Sequence, residues 1–195
     1  MRIKIGTDST ADIPREVRER LDINVLPLSV VHEGREYVEN VDITPEEFYV
    51  TLENCEKIPT SSQVTTQAYV DLYEKTFAAG YTDLIQISLN AKGSGTFQSG
   101  VIAKDLFFES HPEAAGTFAI HNVDSETYSM LYGHAVIKAA EMARNGASVE
   151  EIIAKVERMV KAVRGVFVPL TLRFVKKSGR VSAAAAFLGD AMGLK

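Results

Sequence analysis

The chain has 195 residues, 46% hydrophobic and 24% charged, with a formal net charge of −5. That is enough for about one domain with chain to spare, and it excludes disordered and collagen-like classes. No apolar run approaches the roughly 18 residues of a spanning helix. The opening MRIKIGTDSTAD also lacks the unbroken apolar stretch of a secretory signal.

Charge is unevenly spread. Residues 155–195 hold nine Lys/Arg and two Asp/Glu, and the rest of the chain holds twelve and twenty-four, so the two parts carry +7 and −12. A basic end can dock an acidic partner, while the acidic remainder of the chain argues against nucleic acid. Cys55 is the lone cysteine, which excludes an intrachain disulfide and fits a reducing cytoplasm.

In chain order, Arg2–Thr7 alternates as a strand and leads into the loop Asp8-Ser9-Thr10-Ala11-Asp12. Pro14 opens a helix whose Ile13, Val17 and Leu21 share one face. Residues 24–31 (NVLPLSVV) read as a second strand, with Pro27 confining it to an edge or bulge. Thr44-Pro45-Glu46-Glu47 is a capping box, and a polar stretch then ends in Pro59-Thr60-Ser61-Ser62-Gln63. The next helix spans about 65–79 with Tyr69, Leu72, Tyr73 and Phe77 inward and Gly80 as its stop.

A strand over 84–88 follows, then a glycine-rich loop and a helix over about 96–108. Residues 117–120 form a strand, Val123-Asp124-Ser125 a loop, and a helix runs to Gly146. Ser148-Val149-Glu150-Glu151 is a second capping box, opening a helix to about Val163, and residues 165–172 form a β run. Strands alternating with long helices predict an α/β fold, a mostly parallel sheet covered on both faces. The expected division is one domain over 1–164, with 165–195 as connecting strand and incomplete start of a second α/β domain.

Ligands of such sheets bind beyond the carboxyl ends of the strands. Three post-strand loops are rich in hydroxyls: Asp8-Ser9-Thr10, Gly93-Ser94-Gly95-Thr96 and Asp124-Ser125. In the second, two glycines permit close approach of the backbone to a ligand. Ser94 stands at a helix N-terminus, a seat for carboxylate or phosphate, or else simply caps the helix. The glycine spacing matches neither a P-loop nor GxGxxG, and the four histidines form no HxH or HExxH metal pattern. No GxSxG elbow is present, Asp8 and Asp12 read as a loop or cap pair, and no catalytic residue, metal or cofactor is expected.

Six segments together resemble the DegV family of bacterial fatty-acid-binding proteins: IGTDSTADIP, PLSVVHEGREYVENVDITPEEFY, PTSSQ before the helix ending DLYEK, SGTFQSG, VDSETYSM and KKSGRVSAAAAFLG. They occur in the family's order along nearly the whole chain. The resemblance implies two α/β domains with one long-chain fatty acid in a tunnel between them. It also implies a carrier rather than an enzyme, presenting the acyl carboxylate to a partner fatty acid kinase. Carried over by motif, Ser94, Ser61 and Arg180 are the head-group contacts, with Ser62, Gly95, Thr96, Asp8 and Ser9 in support.

This sequence departs from the family in having Ser61 where Thr is usual, Ser178 where Gly is usual, and Ala91-Lys92-Gly93 ahead of Ser94. It also stops near the start of the family's second main sheet, so a fragment or a shortened relative is expected, lacking the family's head-group histidine. Two alternatives remain from the residues alone. One is an enzyme acting on a small phosphorylated substrate through the rim loops; the other is a scaffold docking an acidic partner on Lys176, Lys177 and Arg180.

Overall fold

The structure is a computed structural model that describes residues 2–166. Its first unit comprises residues up to Leu28 together with Gln63–Arg164, and its second includes Ser29–Ser62. The chain therefore leaves the first unit at Pro27-Leu28 and returns to it at Gln63, within the span 1–164 expected to be one domain. The β run expected over 165–172 falls almost wholly outside the described residues, as does Arg180.

In the first unit four strands, β1 (Ile3–Asp8), β2 (Asn24–Leu26), β6 (Asp83–Ser88) and β7 (Ala119–Asp124), form a parallel sheet in the order β2-β1-β6-β7. Five helices belong to this unit: α1 (Arg15–Arg20), α3 (Thr66–Ala78), α4 (Thr96–Ser110), α5 (Met130–Arg144) and α6 (Val149–Ala162). On one face Ile5, Ile85, Ile87 and Val123 pack with Tyr132, Val136 and Ala139 of α5 and Ile152 and Val156 of α6. On the other, Leu84 and Ile120 pack with Tyr69, Leu72 and Tyr73 of α3 and Ala103 and Phe107 of α4. The α/β expectation holds: strands buried on both faces read as apolar runs because helices cover each side.

The second unit's described part is an antiparallel sheet, β4-β3-β5, of β3 (Ser29–His32), β4 (Arg35–Val38) and β5 (Thr60–Ser62), with α2 (Pro45–Asn54) between β4 and β5 in sequence. The single strand expected over 24–31 is thus two strands in different sheets. Pro27 ends the first, since it has no N–H to offer a ladder, and the edge position expected for residues 24–26 is where β2 lies. Glu33 and Gly34, both at positive φ, make the two-residue hairpin turn joining β3 to β4. The Thr60-Ser61-Ser62 stretch, expected to be a polar lead-in to a helix, instead pairs with β3.

Both capping boxes form, Thr44 with Glu47 on α2 and Ser148 with Glu151 on α6. Helix α5 is held close to the turn after β1 by Gly133, where a Cβ would overlap the Ala11 carbonyl oxygen. Gly133→Ala is therefore expected to cost a net 1–2 kcal/mol (order of magnitude) even though alanine favours helix, because backbone must yield. Urea unfolding measures it; unchanged or raised stability would contradict the close contact.

Candidate functional site

Strands β1, β6 and β7 run parallel and adjacent, paired Thr7 to Ile87 and Ser88 to Asp124 at their carboxyl ends. Their three following loops consequently share one rim, and hydrogen bonds lace them together. Asn90 donates its backbone N–H to the Thr127 carbonyl at 3.0 Å and its amide to the Glu126 carbonyl at 2.9 Å. The Ala91 N–H donates to Asp124 Oδ1 at 3.1 Å. Across the rim, the Ser129 hydroxyl donates to Asp12. Both of these residues hold positive φ, 56° and 52°, a region favouring glycine that persists where the surroundings enforce it.

Asp8, the last residue of β1, is fully buried. Its Oδ1 accepts from the Thr10 hydroxyl (2.6 Å), the Tyr132 hydroxyl (2.7 Å) and the Thr10 N–H (3.2 Å), and its Oδ2 accepts from the Leu89 N–H (2.9 Å). Burial raises its pKa above the ordinary 3.8, against the opposing pull of those four bonds. The Tyr132 phenol is raised likewise, first by burial and then by the neighbouring Asp8 charge. Ser9 Oγ accepts from the Leu28 N–H at 2.9 Å, at the chain's exit from the first unit.

Ser94 is half-buried just before α4, whose N-cap residue is Gly95. Its Oγ accepts from the Thr96 N–H at 3.2 Å and lies 2.9 Å from the Thr96 hydroxyl. Thr96, fully buried, also accepts from the Val64 N–H at 3.3 Å. The hydroxyl thus engages the helix end, and with Thr96 as the donor of the hydroxyl pair the Ser94 O–H is left to donate to a ligand. It sits where the first-turn N–H groups and the dipole of a 15-residue helix favour an anion.

The two glycines flanking Ser94 do not leave the backbone open in the way the sequence suggested. A Cβ on Gly93 would overlap the Tyr128 hydroxyl, and one on Gly95 would overlap the Gln63 amide. The close approach they permit is to the protein's own side chains, which grip the loop from two directions. Gln63 also donates to Ser99 Oγ at 3.0 Å. Tyr128, Gln63 and Tyr132 are the residues that sequence reasoning left without a role; the quoted VDSETYSM and PTSSQ segments contained the first two.

Among the expected site residues, Asp8, Ser9, Ser94, Gly95 and Thr96 belong to the first unit, on or next to this rim. Ser61 and Ser62 lie on β5 of the second unit, where Ser61 pairs with Val30 and Ser62 with Ser29. Arg180 lies outside the described residues. Among the described residues no group of three His, Cys, Asp or Glu side chains is placed to hold a metal, and no helix is long and apolar enough to cross a membrane.

The Asp8 environment has a pH signature. With its folded pKa above 3.8, the folded state binds that proton more tightly than the unfolded chain. Its contribution to stability is greatest at low pH and declines as pH rises from 3.8 through the raised value. Asp8→Asn removes this dependence, so the variant's stability relative to wild type should increase between about pH 4 and about pH 7. Urea unfolding at both ends of that window checks it; a constant or falling difference would contradict the burial argument.

Comparison with known proteins accords with this architecture. The family model described as "Uncharacterised protein, DegV family" matches residues 2–195. A DegV domain-containing protein of Clostridium perfringens is 36% identical over 189 residues, covering 97% of this chain and 65% of its own length. Protein DegV of Bacillus subtilis is 35% identical over 196 residues, with 100% and 66% covered. The crystal structure of the Bacillus subtilis DegV, described as a fatty acid binding protein, superposes with a TM-score of 0.84 over 97% of this chain and 64% of that one, at 35% identity. A Thermus thermophilus DegV family protein, described by its fatty acid binding, gives 0.79 over 97% and 64%, at 31% identity. The chain thus spans just under two thirds of the length of these relatives. With the family model running from residue 2 to the last residue, and sequence and backbone agreeing with the same relatives, the chain belongs to the DegV family.

Proposed function

We propose that this chain binds a long-chain fatty acid and holds its carboxylate at the rim of the parallel sheet. The observation that carries this reading is the half-buried Ser94 hydroxyl at the head of α4, on a loop fixed by Gln63, Tyr128 and the bonds of Asn90. A carboxylate leaving water needs hydrogen bonds or a cation, and hydroxyls beside a helix N-terminus supply the first. Burying about sixteen carbons at about 0.8 kcal/mol per CH₂ gives about 10 kcal/mol before association costs. The solved relatives described as fatty acid binding support the same ligand class.

In this proposal Ser61 and Arg180 complete the head-group contacts, with Ser62, Gly95, Thr96, Asp8 and Ser9 in support. The protein acts as a carrier that presents the carboxylate to a fatty acid kinase subunit, and any phosphoryl transfer belongs to that partner. A cytoplasmic site of action agrees with Cys55 being the chain's one cysteine.

Lipid extraction and mass spectrometry of the purified full-length protein should recover a fatty acid, and added oleate or palmitate should bind. Absence of both, with stabilisation by sugar phosphates or nucleotides instead, would overturn the reading. Ser94→Ala should weaken oleate binding by about 1–3 kcal/mol, the cost of removing one partner of a buried anion. Titration of the variant measures it, and unchanged affinity would reduce Ser94 to a helix-end residue.

A further inference from the structure

We propose that Asp8 is a positioning residue whose buried carboxylate holds the loop bearing Ser94 in its anion-receiving place. The inference rests on the fatty-acid reading above and gives Asp8, named there only in support, a defined part that needs no contact with the ligand. The registered pairs of β1 with β6 end at Thr7 and Ile87. Beyond them the backbones part, and the Asp8 side chain continues the connection by accepting the Leu89 N–H at 2.9 Å. Leu89 is the first residue after β6, so this bond fixes the origin of the seven-residue stretch that ends at Gly95.

The opposite oxygen anchors the carboxylate itself. Tyr132, in the first turn of α5, and Thr10, in the turn after β1, donate to Oδ1. The four donors are two hydroxyls and two backbone N–H groups, none of them cationic. A carboxyl group buried among four donors with no cation beside it is a costly way to join three segments. An asparagine of nearly the same shape cannot replace it. Its single oxygen can face Leu89 or the Oδ1 donors but not both, and its NH₂ then meets an N–H donor on the other side.

The test is a double-mutant cycle on oleate affinity in the full-length protein, comparing wild type, Asp8→Asn, Ser94→Ala and the double variant, with urea unfolding of each. Asp8→Asn should weaken oleate about tenfold while remaining folded at neutral pH, and the double variant should bind within about twofold of Ser94→Ala alone, since coupled residues are not additive. Wild-type affinity in Asp8→Asn, or a loss that adds in full to that of Ser94→Ala, would overturn the proposal. Should Asp8→Asn not fold, amide exchange in the wild type decides. The Leu89 amide should be protected and slow further when oleate binds; free exchange unaffected by oleate overturns the proposal. A wild type with no affinity for oleate would instead overturn the fatty-acid reading itself.

Discussion

Parallel register is the constraint from which the rest of the first unit follows. Strand β6 lies between β1 and β7, paired with both in parallel, so all three strands must discharge their following loops on the same side. Leu84, Ile85 and Ile87 are fully buried, so the register cannot slip without pushing apolar side chains out of both helical layers. The cores on the two faces thereby hold Asp8, the 89–95 loop and Asp124 at the same level, close enough for direct hydrogen bonds. The site is a consequence of that alignment.

The rim is polar and laced by hydrogen bonds, and none of the donors in the contacts described is cationic. Asp8 and Asp124 each organise backbone N–H groups of the Ser94 loop, through Leu89 and Ala91. Gln63 and Tyr128 press on the two glycines that flank Ser94. A loop held at so many points presents its hydroxyl in one place, which lowers the ordering cost of receiving an anion.

Much of the fold was legible because its signals are local. Thr44 and Glu47, and Ser148 and Glu151, lie three residues apart and declare two helix starts that the structure reproduces. Gly80 and Gly146 stop their helices at φ of 75° and 82°, as glycine beyond a helix end should. What escaped was non-local. Pro27 pointed to an edge or bulge in one strand but not to a chain that changes sheets there. Thr60-Ser61-Ser62 has no apolar alternation to mark it as a strand, and only its pairing with β3 makes it one. Strand β7 runs on to Asp124, four residues beyond the expected Ile120, because its neighbour β6 supplies partners that far. In the site, Ser94 stood out through its glycines and helix start, whereas Tyr132 lies 124 residues from the Asp8 it contacts, a distance no local pattern spans.

The most direct measurement of the central claim is an NMR titration of the full-length protein with oleate labelled with carbon-13 at the carboxyl. The account predicts a distinct bound carboxylate resonance that shifts when Ser94 is replaced by alanine, and that stays ionised to lower pH than free oleate because hydroxyl and N–H donors favour the charged form. A bound resonance indifferent to Ser94, or none at all, would contradict it.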